Sequence, residues 1–351
     1  DDTKMITEFT TKLEKKSNLT YEEMSKSMND ILGGRISDED TASFLKNLTI
    51  KGETDDELLA MLDIMQKFAT RISPKCKTRL IDVCGTGGDN MMTFNISTAA
   101  AFVIAASGGA VAKHGNRAVS SVCGSADIFE YFGYDLNASS ERITQIIEKF
   151  GIGFMFAQKF HPAMKNVVKA RKMIGTRTAF NLLGPLCNPA NVKNQLIGVF
   201  SDDFLERIPN LLKKKNSETI MTVRSKDGLD ELSTTSKNQV CLLKNNKIQT
   251  FILDPQAVGL KKSEIKQLQV TSKENAIDAF VSVLNGSANK AMIETTALNA
   301  AGGLIVADIA DNFSSAIDIA LDTLQSEKAY KLFKEFISFC GNKSMLKELE
   351  T

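Results

Sequence analysis

The chain has 351 residues, 43% hydrophobic and 24% charged, an ordinary globular composition that is long enough for about two domains with buried cores. Its 43 Lys and Arg against 42 Asp and Glu leave a formal charge of +1, so no global basic excess draws it to nucleic acid, and any anion must be held by a local site. No stretch is apolar enough to span a bilayer, and the apolar content excludes a disordered chain.

The six cysteines are scattered without C-x-x-C spacing, and only two histidines, His114 and His161, are present. Neither a disulfide framework nor a zinc site has a pattern to rest on. The first residues, Asp1-Asp2-Thr3-Lys4, lack the basic start and apolar core of a secretory signal, so the cytoplasm is the expected location.

Residues 1–73 read as an α-helical domain of four short helices. Thr20 with Glu23 and Thr54 with Glu57 are capping boxes, each followed by apolar residues at helical spacing: Tyr21, Met24, Met28, Ile31, then Leu58, Met61, Leu62, Met65, Phe68. Gly33-Gly34 and Gly52 are expected to end the intervening helices.

From Arg79 short apolar strands alternate with helices. Strands are predicted over 80–84, 110–113, 154–156, 195–200, 219–223, 239–243 and 248–253, and helices over 96–107, 126–132, 141–150, 161–174 and 203–213. This alternation predicts an α/β domain over 74–351 with a central, mostly parallel sheet covered by helices. Helical periodicity returns from Ser272, a residue suited to an N-cap.

Four clusters could carry chemistry. Gly85-Thr86-Gly87-Gly88-Asp89 follows a strand directly, and its glycines let consecutive N–H groups converge as a phosphate nest. Asn95, Ser97 and Thr98 stand at the start of the next, small-residue helix, whose N-terminus suits the same anion. The alternative is a tight βα turn with ordinary capping. Neither a Walker A lysine nor the G-x-G-x-x-G register is present.

Lys113-His114-Gly115-Asn116-Arg117 ends the next strand, on the side of a parallel sheet where ligands sit. His114 reads equally as a packed residue or a catalyst. The following segment, Ser120 to Asp127, is another small-residue loop entering a helix and suited to an anion.

Arg171 falls on the apolar stripe of Met164, Val167 and Val168 in the helix predicted from His161. An inward arginine needs an anion, either an internal carboxylate or a substrate's. Finally, Asp227-Gly228-Leu229-Asp230-Glu231 is either an exposed acidic turn or a pair of hard oxygen ligands suited to Mg²⁺.

Together these motifs resemble the anthranilate phosphoribosyltransferase family of the nucleoside phosphorylase class III fold. The match is carried by Gly85 to Asp89 with Asn95-Ile96-Ser97-Thr98, Lys113 to Arg117, Gly124 to Asp127, and His161-Pro162-Ala163-Met164 through Arg171. It continues in Arg177 to Leu186 with Asn188-Pro189-Ala190, and in Asp230-Glu231. Order and spacing hold over nearly the whole chain.

The resemblance implies a helical domain completed by the segment around 160–180, a homodimer formed through it, and a crevice between the domains. It implies transfer of the phosphoribosyl group of phosphoribosyl pyrophosphate (PRPP) to anthranilate, a step of tryptophan biosynthesis. By position, Gly85, Thr86, Gly88, Asp89, Thr93, Asn95, Ser97, Thr98, Lys113 and Ser125 would bind PRPP. Asn116, Arg171, His114, Gly184 and Gly85 would hold anthranilate, with Lys113 and His114 as catalytic groups. Ser97, Asp230 and Glu231 would ligate Mg²⁺, two ions arriving with PRPP. No nucleic acid or membrane partner is implied. A transferase with another aromatic acceptor and a pyrimidine nucleoside phosphorylase are the alternatives on this fold.

Two positions depart from the family pattern. Asn90-Met91-Met92 stands where the family has glycine and small residues, which predicts a stiffer glycine loop. Val122-Cys123 replaces Lys-Ser, which removes one cation from the phosphate site.

Overall fold

The computed structural model describes residues 1–118 and 121–350; Ser120, the start of the predicted loop before Gly124, lies outside the described residues. Four helices open the chain: α1 (Asp2–Glu14), α2 (Tyr21–Leu32), α3 (Asp38–Lys51) and α4 (Asp55–Phe68). Both predicted capping boxes form, with each threonine hydroxyl accepting from the glutamate N–H and each glutamate accepting from the threonine N–H. Gly33 is right-handed at φ −73°, and the turn after α2 is made instead by Gly34 at φ +74°.

Strands and helices then alternate: β1 (Leu80–Gly85), α5 (Ile96–Ala106), β2 (Ala110–Gly115), α6 (Ser125–Tyr131), α7 (Ser140–Phe150) and β3 (Ile152–Phe156). A helical excursion follows in α8 (Ala157–Phe160), α9 (Lys165–Ile174) and α10 (Ala179–Leu183). The sheet resumes with β4 (Asn194–Gly198), α11 (Asp203–Lys214), β5 (Thr219–Ser225), β6 (Asn238–Lys244) and β7 (Lys247–Leu253). It is followed by α12 (Lys273–Leu284), α13 (Lys290–Val306), α14 (Phe313–Gln325), α15 (Lys328–Cys340) and α16 (Lys343–Glu350). Two compact units result, one of Asp1–Arg71 with Ala157–Pro189, the other of Ile72–Phe156 with the chain from Ala190 onward.

In the helical unit, α9 packs on α2 and α3, and Asn166 Nδ2 donates to Leu32 O at 2.7 Å. The helix predicted from His161 is interrupted: His161 precedes a 3-10 turn at Pro162–Met164, and α9 begins only at Lys165. Met164 N–H donates to His161 O at 3.1 Å, the three-residue step of a 3-10 turn, with Pro162 at the first position, where its missing N–H costs nothing. The inward stripe also differs from expectation, for Val167 and Ala170 are buried while Val168 is 46% exposed.

The other unit is built on a seven-stranded sheet among the described residues, in the order β3-β2-β1-β4-β5-β6-β7. Strands β1 to β5 are parallel, and β6 and β7 extend the sheet antiparallel. The chain winds from β1 to β2 and β3 in one direction, then returns beside β1 at β4 and continues the other way. The β1/β4 pair, in register from Ile81 opposite Asn194 to Gly85 opposite Gly198, is therefore the topological switch point.

Helix α5 is apolar on all sides and buried through Ala99, Ala100, Ala101, Phe102, Val103 and Ile104. Phe102 meets Phe129, Phe280, Phe333 and Phe336 at ring separations of 5.2 to 6.0 Å. This aromatic core fixes α5 and hence the place where its first turn is presented. Among the described residues, no helix is long and apolar enough to cross a membrane.

Candidate active site

Three loops meet at the carboxyl ends of the parallel strands. The first joins β1 to α5. Gly87 and Gly88 take φ of +75° and +81°, as a nest of converging N–H groups requires, and Thr86 N–H donates to Gly198 O at 2.8 Å. Asn95 caps α5 by position but not by a side-chain bond; its Nδ2 donates instead to Cys123 O at 2.9 Å. The helix starts at Ile96, so Ser97 and Thr98 lie inside its first turn. The Thr86 hydroxyl and Asn95 Oδ1 are buried without a hydrogen-bond partner, polar atoms that a polar ligand here would satisfy.

The second half of this loop is tied down. Met92 O accepts from Val270 N–H at 3.0 Å, Phe94 N–H donates to Leu268 O at 2.9 Å, and Gln269 Nε2 donates to Met91 O at 2.9 Å. Thr93 forms an antiparallel bridge with Gln269. Asn90 and Met92 are left-handed, at φ +57° and +56°. Asparagine tolerates this region, whereas methionine is strained in it.

The second loop carries the acidic turn, and it is not an exposed one. Asp227 stays at the surface, bonded to the hydroxyls of Ser225 and Thr235, but Gly228 at φ +101° turns the chain inward and Asp230 is only 7% exposed. Asp230 Oδ2 accepts from Gly87 N–H at 2.7 Å, Asp89 Oδ2 accepts from Asp230 N–H at 3.2 Å, and Ser97 Oγ donates to Glu231 Oε1 at 2.7 Å. Two glycines permit the approach: a β-carbon on Gly85 would lie 2.6 Å from Asp230 Oδ2, and one on Gly198 would overlap the Asp230 carbonyl oxygen.

Burial, then repulsion from Glu231 and Asp89, pushes the Asp230 carboxyl well above the usual carboxylate range. Burial likewise raises Glu231 to about 7, against the lowering influence of the Ser97 hydrogen bond and Lys113. Adjacent, hard-oxygen carboxylates that repel one another in a buried place suit a divalent cation such as Mg²⁺. Among the described residues no three His, Cys, Asp or Glu converge on one point. A cation here would therefore take Ser97 Oγ, water and substrate oxygens into its shell.

The third loop leaves β2. Lys113 is 3% exposed, and its Nζ donates to Val83 O at 2.6 Å. His114 is also buried. Asn116 is exposed, its side-chain oxygen accepting from Arg117 N–H at 2.9 Å. Ser125 opens α6 with its hydroxyl against Gly115, which has no room for a β-carbon. In the loop before α6, Asp127 Oδ2 accepts from Gly124 N–H at 2.8 Å and from Ala118 N–H at 3.0 Å, so these two groups are taken.

Arg171 and Gly184 belong to the helical unit. Arg171 is partly buried on α9, its guanidinium carbon 5.7 Å from the centre of the Phe180 ring. Burial lowers its pKa, and no carboxylate of the described residues offsets that burial, so the internal ion pair is not what holds it. Gly184 opens the 3-10 turn Gly184–Leu186, with open space where a side chain would stand.

Gly198, the 268–270 segment, Asn238 and Asn299 shape this site and were not singled out from sequence. An isolated glycine at a strand end was the one local signal, because it marks close approach of another backbone.

Residues 77–330 match the profile described as glycosyl transferase family, a/b domain, and residues 7–69 that described as glycosyl transferase family, helical bundle domain. The chain is 59% identical to the anthranilate phosphoribosyltransferase of Nitrosopumilus maritimus over 345 residues, 98% of this chain and 99% of that protein. The crystal structure of the Thermus thermophilus anthranilate phosphoribosyltransferase is similar with a TM-score of 0.87 at 35% identity, covering 95% of this chain and 99% of that one. The Saccharomyces cerevisiae enzyme, solved in complex with PRPP and Mg, shares the fold with a TM-score of 0.86 at 24% identity, over 95% of this chain and 97% of that one.

Proposed function

The chain belongs to the anthranilate phosphoribosyltransferase family, and from that premise we infer how its residues divide the work of the reaction. It transfers the 5-phosphoribosyl group of PRPP to the amine of anthranilate, giving N-(5-phosphoribosyl)anthranilate and pyrophosphate, a step of tryptophan biosynthesis. The observation that carries the reading is the Asp230-Glu231 turn buried against the glycine loop and Ser97 at the β1/β4 switch point.

Pyrophosphate departure builds negative charge on the leaving group and positive character on the ribose. The Gly88 N–H, the first turn of α5 and Lys113 would stabilise that leaving charge, while the Gly87 N–H holds Asp230 in position. Gly85, Thr86, Asp89, Thr93, Asn95, Thr98 and Ser125 shape the remainder of the PRPP site. Asp230, Glu231 and Ser97 would hold Mg²⁺, which supplies charge neutralisation of the pyrophosphate. The family resemblance implies two ions, the pyrophosphate of PRPP supplying the oxygens that the two carboxylates and Ser97 do not.

The aromatic amine is already a nucleophile, so positioning and exclusion of water outweigh a strong base. Arg171 clamps the anthranilate carboxylate, which accounts for a partly buried guanidinium whose burial no carboxylate of the described residues offsets. The family resemblance assigns Asn116, His114 and Gly184 to anthranilate as well, with His114 orienting the amine or taking its proton.

The working form is a homodimer, as four of the five most exposed large apolar residues among those described, Tyr21, Ile50, Val168 and Met173, fall in the helical unit. The cytoplasm is the site of action, consistent with six free thiols.

Loss of anthranilate fluorescence on mixing the protein with PRPP and Mg²⁺ tests the reaction directly, against a low background since the chain has no tryptophan. Metal-dependent loss is expected. Arg171→Ala should raise KM for anthranilate about 30-fold or more, with KM for PRPP little changed, and Asp230→Asn/Glu231→Gln should abolish turnover. A folded protein that consumes no anthranilate at any metal or substrate concentration would overturn the reading.

A further inference from the structure

Adjacent carboxylates on one turn can share a cation only if the backbone between and behind them is held still, because each side chain is otherwise free to swing away from its like-charged neighbour. The residues after Glu231 are held in an unusual way. Leu232 N–H donates to Asn299 Oδ1 at 3.0 Å, and Asn299 Nδ2 donates to Leu232 O at 2.7 Å. One residue on, Ser233 N–H donates to Asn238 Oδ1 at 2.8 Å, and Asn238 Nδ2 donates to Ser233 O at 2.9 Å.

Each carboxamide thus pairs with both polar groups of one residue, as an opposing residue does in an antiparallel ladder. In such a ladder successive residues address opposite sides, so two partners are needed to grip two consecutive residues. Asn299 comes from α13 and Asn238 from the start of β6, and both are buried, at 1% and 0% exposure. Asn299 Nδ2 donates further to Thr295 O at 2.9 Å, one turn back on α13, which sets its side chain. On the other flank, Gly198 admits the Asp230 carbonyl against the end of β4.

We propose that Asn299 and Asn238 are positioning residues for the reaction, a two-sided carboxamide clamp on Leu232 and Ser233 that fixes the Asp230 and Glu231 carboxylates for the metal that accompanies PRPP. The inference rests on the reading of Asp230 and Glu231 as metal ligands. It explains the residue type: only a carboxamide supplies a donor and an acceptor side by side, whereas aspartate lacks the donor and serine cannot span both groups.

The test measures Mn²⁺ affinity in the presence of PRPP by loss of the free-ion paramagnetic resonance signal, alongside KM for each substrate and thermal unfolding. Asn299→Ser and Asn238→Asp sit on different elements, so if one fails to fold the other decides. Each should raise the Mn²⁺ dissociation constant and KM for PRPP at least 5-fold, with KM for anthranilate within 2-fold of the parent. A lowered unfolding temperature with unchanged Mn²⁺ affinity, while Glu231→Gln weakens it, overturns the clamp and leaves the metal-ligand reading intact. Unchanged affinity in Glu231→Gln itself overturns that reading and the clamp with it.

Discussion

Ser97 and Glu231 lie 134 residues apart in sequence, yet the Ser97 hydroxyl donates to the Glu231 carboxylate at 2.7 Å. The hydroxyl comes from the first turn of a helix locked in an aromatic core, and the carboxylate from a turn pressed between strand ends. The bond therefore ties the predicted phosphate cradle to the predicted metal pair.

That relationship separates two kinds of damage. Ser97→Ala removes one oxygen and leaves the carboxylates, so the Mg²⁺ concentration for half-maximal velocity should rise about 10-fold with kcat partly retained. Glu231→Gln removes the charge that holds the ion, and kcat should fall by about 100-fold or more. Velocities measured across Mg²⁺ concentrations check both. Equal effects from the two variants would mean that Ser97 serves more than the metal.

Gly198 makes a sharper demand than its place in a strand suggests. A β-carbon there would overlap the Asp230 carbonyl oxygen, so Gly198→Ala must displace the acidic turn. Activity should drop by about 100-fold while far-ultraviolet circular dichroism stays near that of the parent. Full activity in this variant would show that the turn tolerates displacement.

Met92 gives a prediction about stability. At φ +56° a methionine pays strain that glycine does not, so Met92→Gly should be more stable than Met92→Ala by about 1 kcal/mol, the reverse of the order in helices and strands. Urea unfolding of the pair isolates the backbone effect, since both lose the same side chain beyond the β-carbon.

His161 makes the helical unit sensitive to acid. Burial lowers its pKa to about 4, opposed by a hydrogen bond to the Cys187 backbone. The unfolded imidazole, near 6.5, binds a proton that the folded one refuses, so stability is full above about pH 7 and falls as the pH drops from about 6.5 toward 4. Between pH 7 and 5 this amounts to about 2 kcal/mol. His161→Gln should flatten that part of the profile in urea titrations at each pH, and an unchanged slope would remove His161 as the cause.

Much of the architecture was legible because it is locally encoded. The capping boxes at Thr20 and Thr54 and the strand–helix alternation from Arg79 use periodicity and short-range hydrogen bonds, and the structure reproduces them with shifts of a residue or two at most ends. Two local details differ: the first turn expected from His161 is 3-10 rather than α, and Val168 turns outward.

The sequence by itself determined the chemistry on offer: a glycine nest after a strand, a lysine at the next strand end, a carboxylate pair after a glycine turn, and an arginine on a partly buried helix face. Each depends on residue type and on neighbours within a few positions. Only the tertiary structure decided that a buried Asp230 and a half-buried Glu231 sit beside Gly87 and Ser97, that Gly198 must be glycine, and that Asn238 and Asn299 grip the chain behind the carboxylates. Apart from the five-residue step from Ser233 to Asn238, these contacts join segments from about 30 to more than 140 residues apart through strand order and helix packing, and a side chain's partner across such a distance leaves no periodic mark on either stretch of sequence.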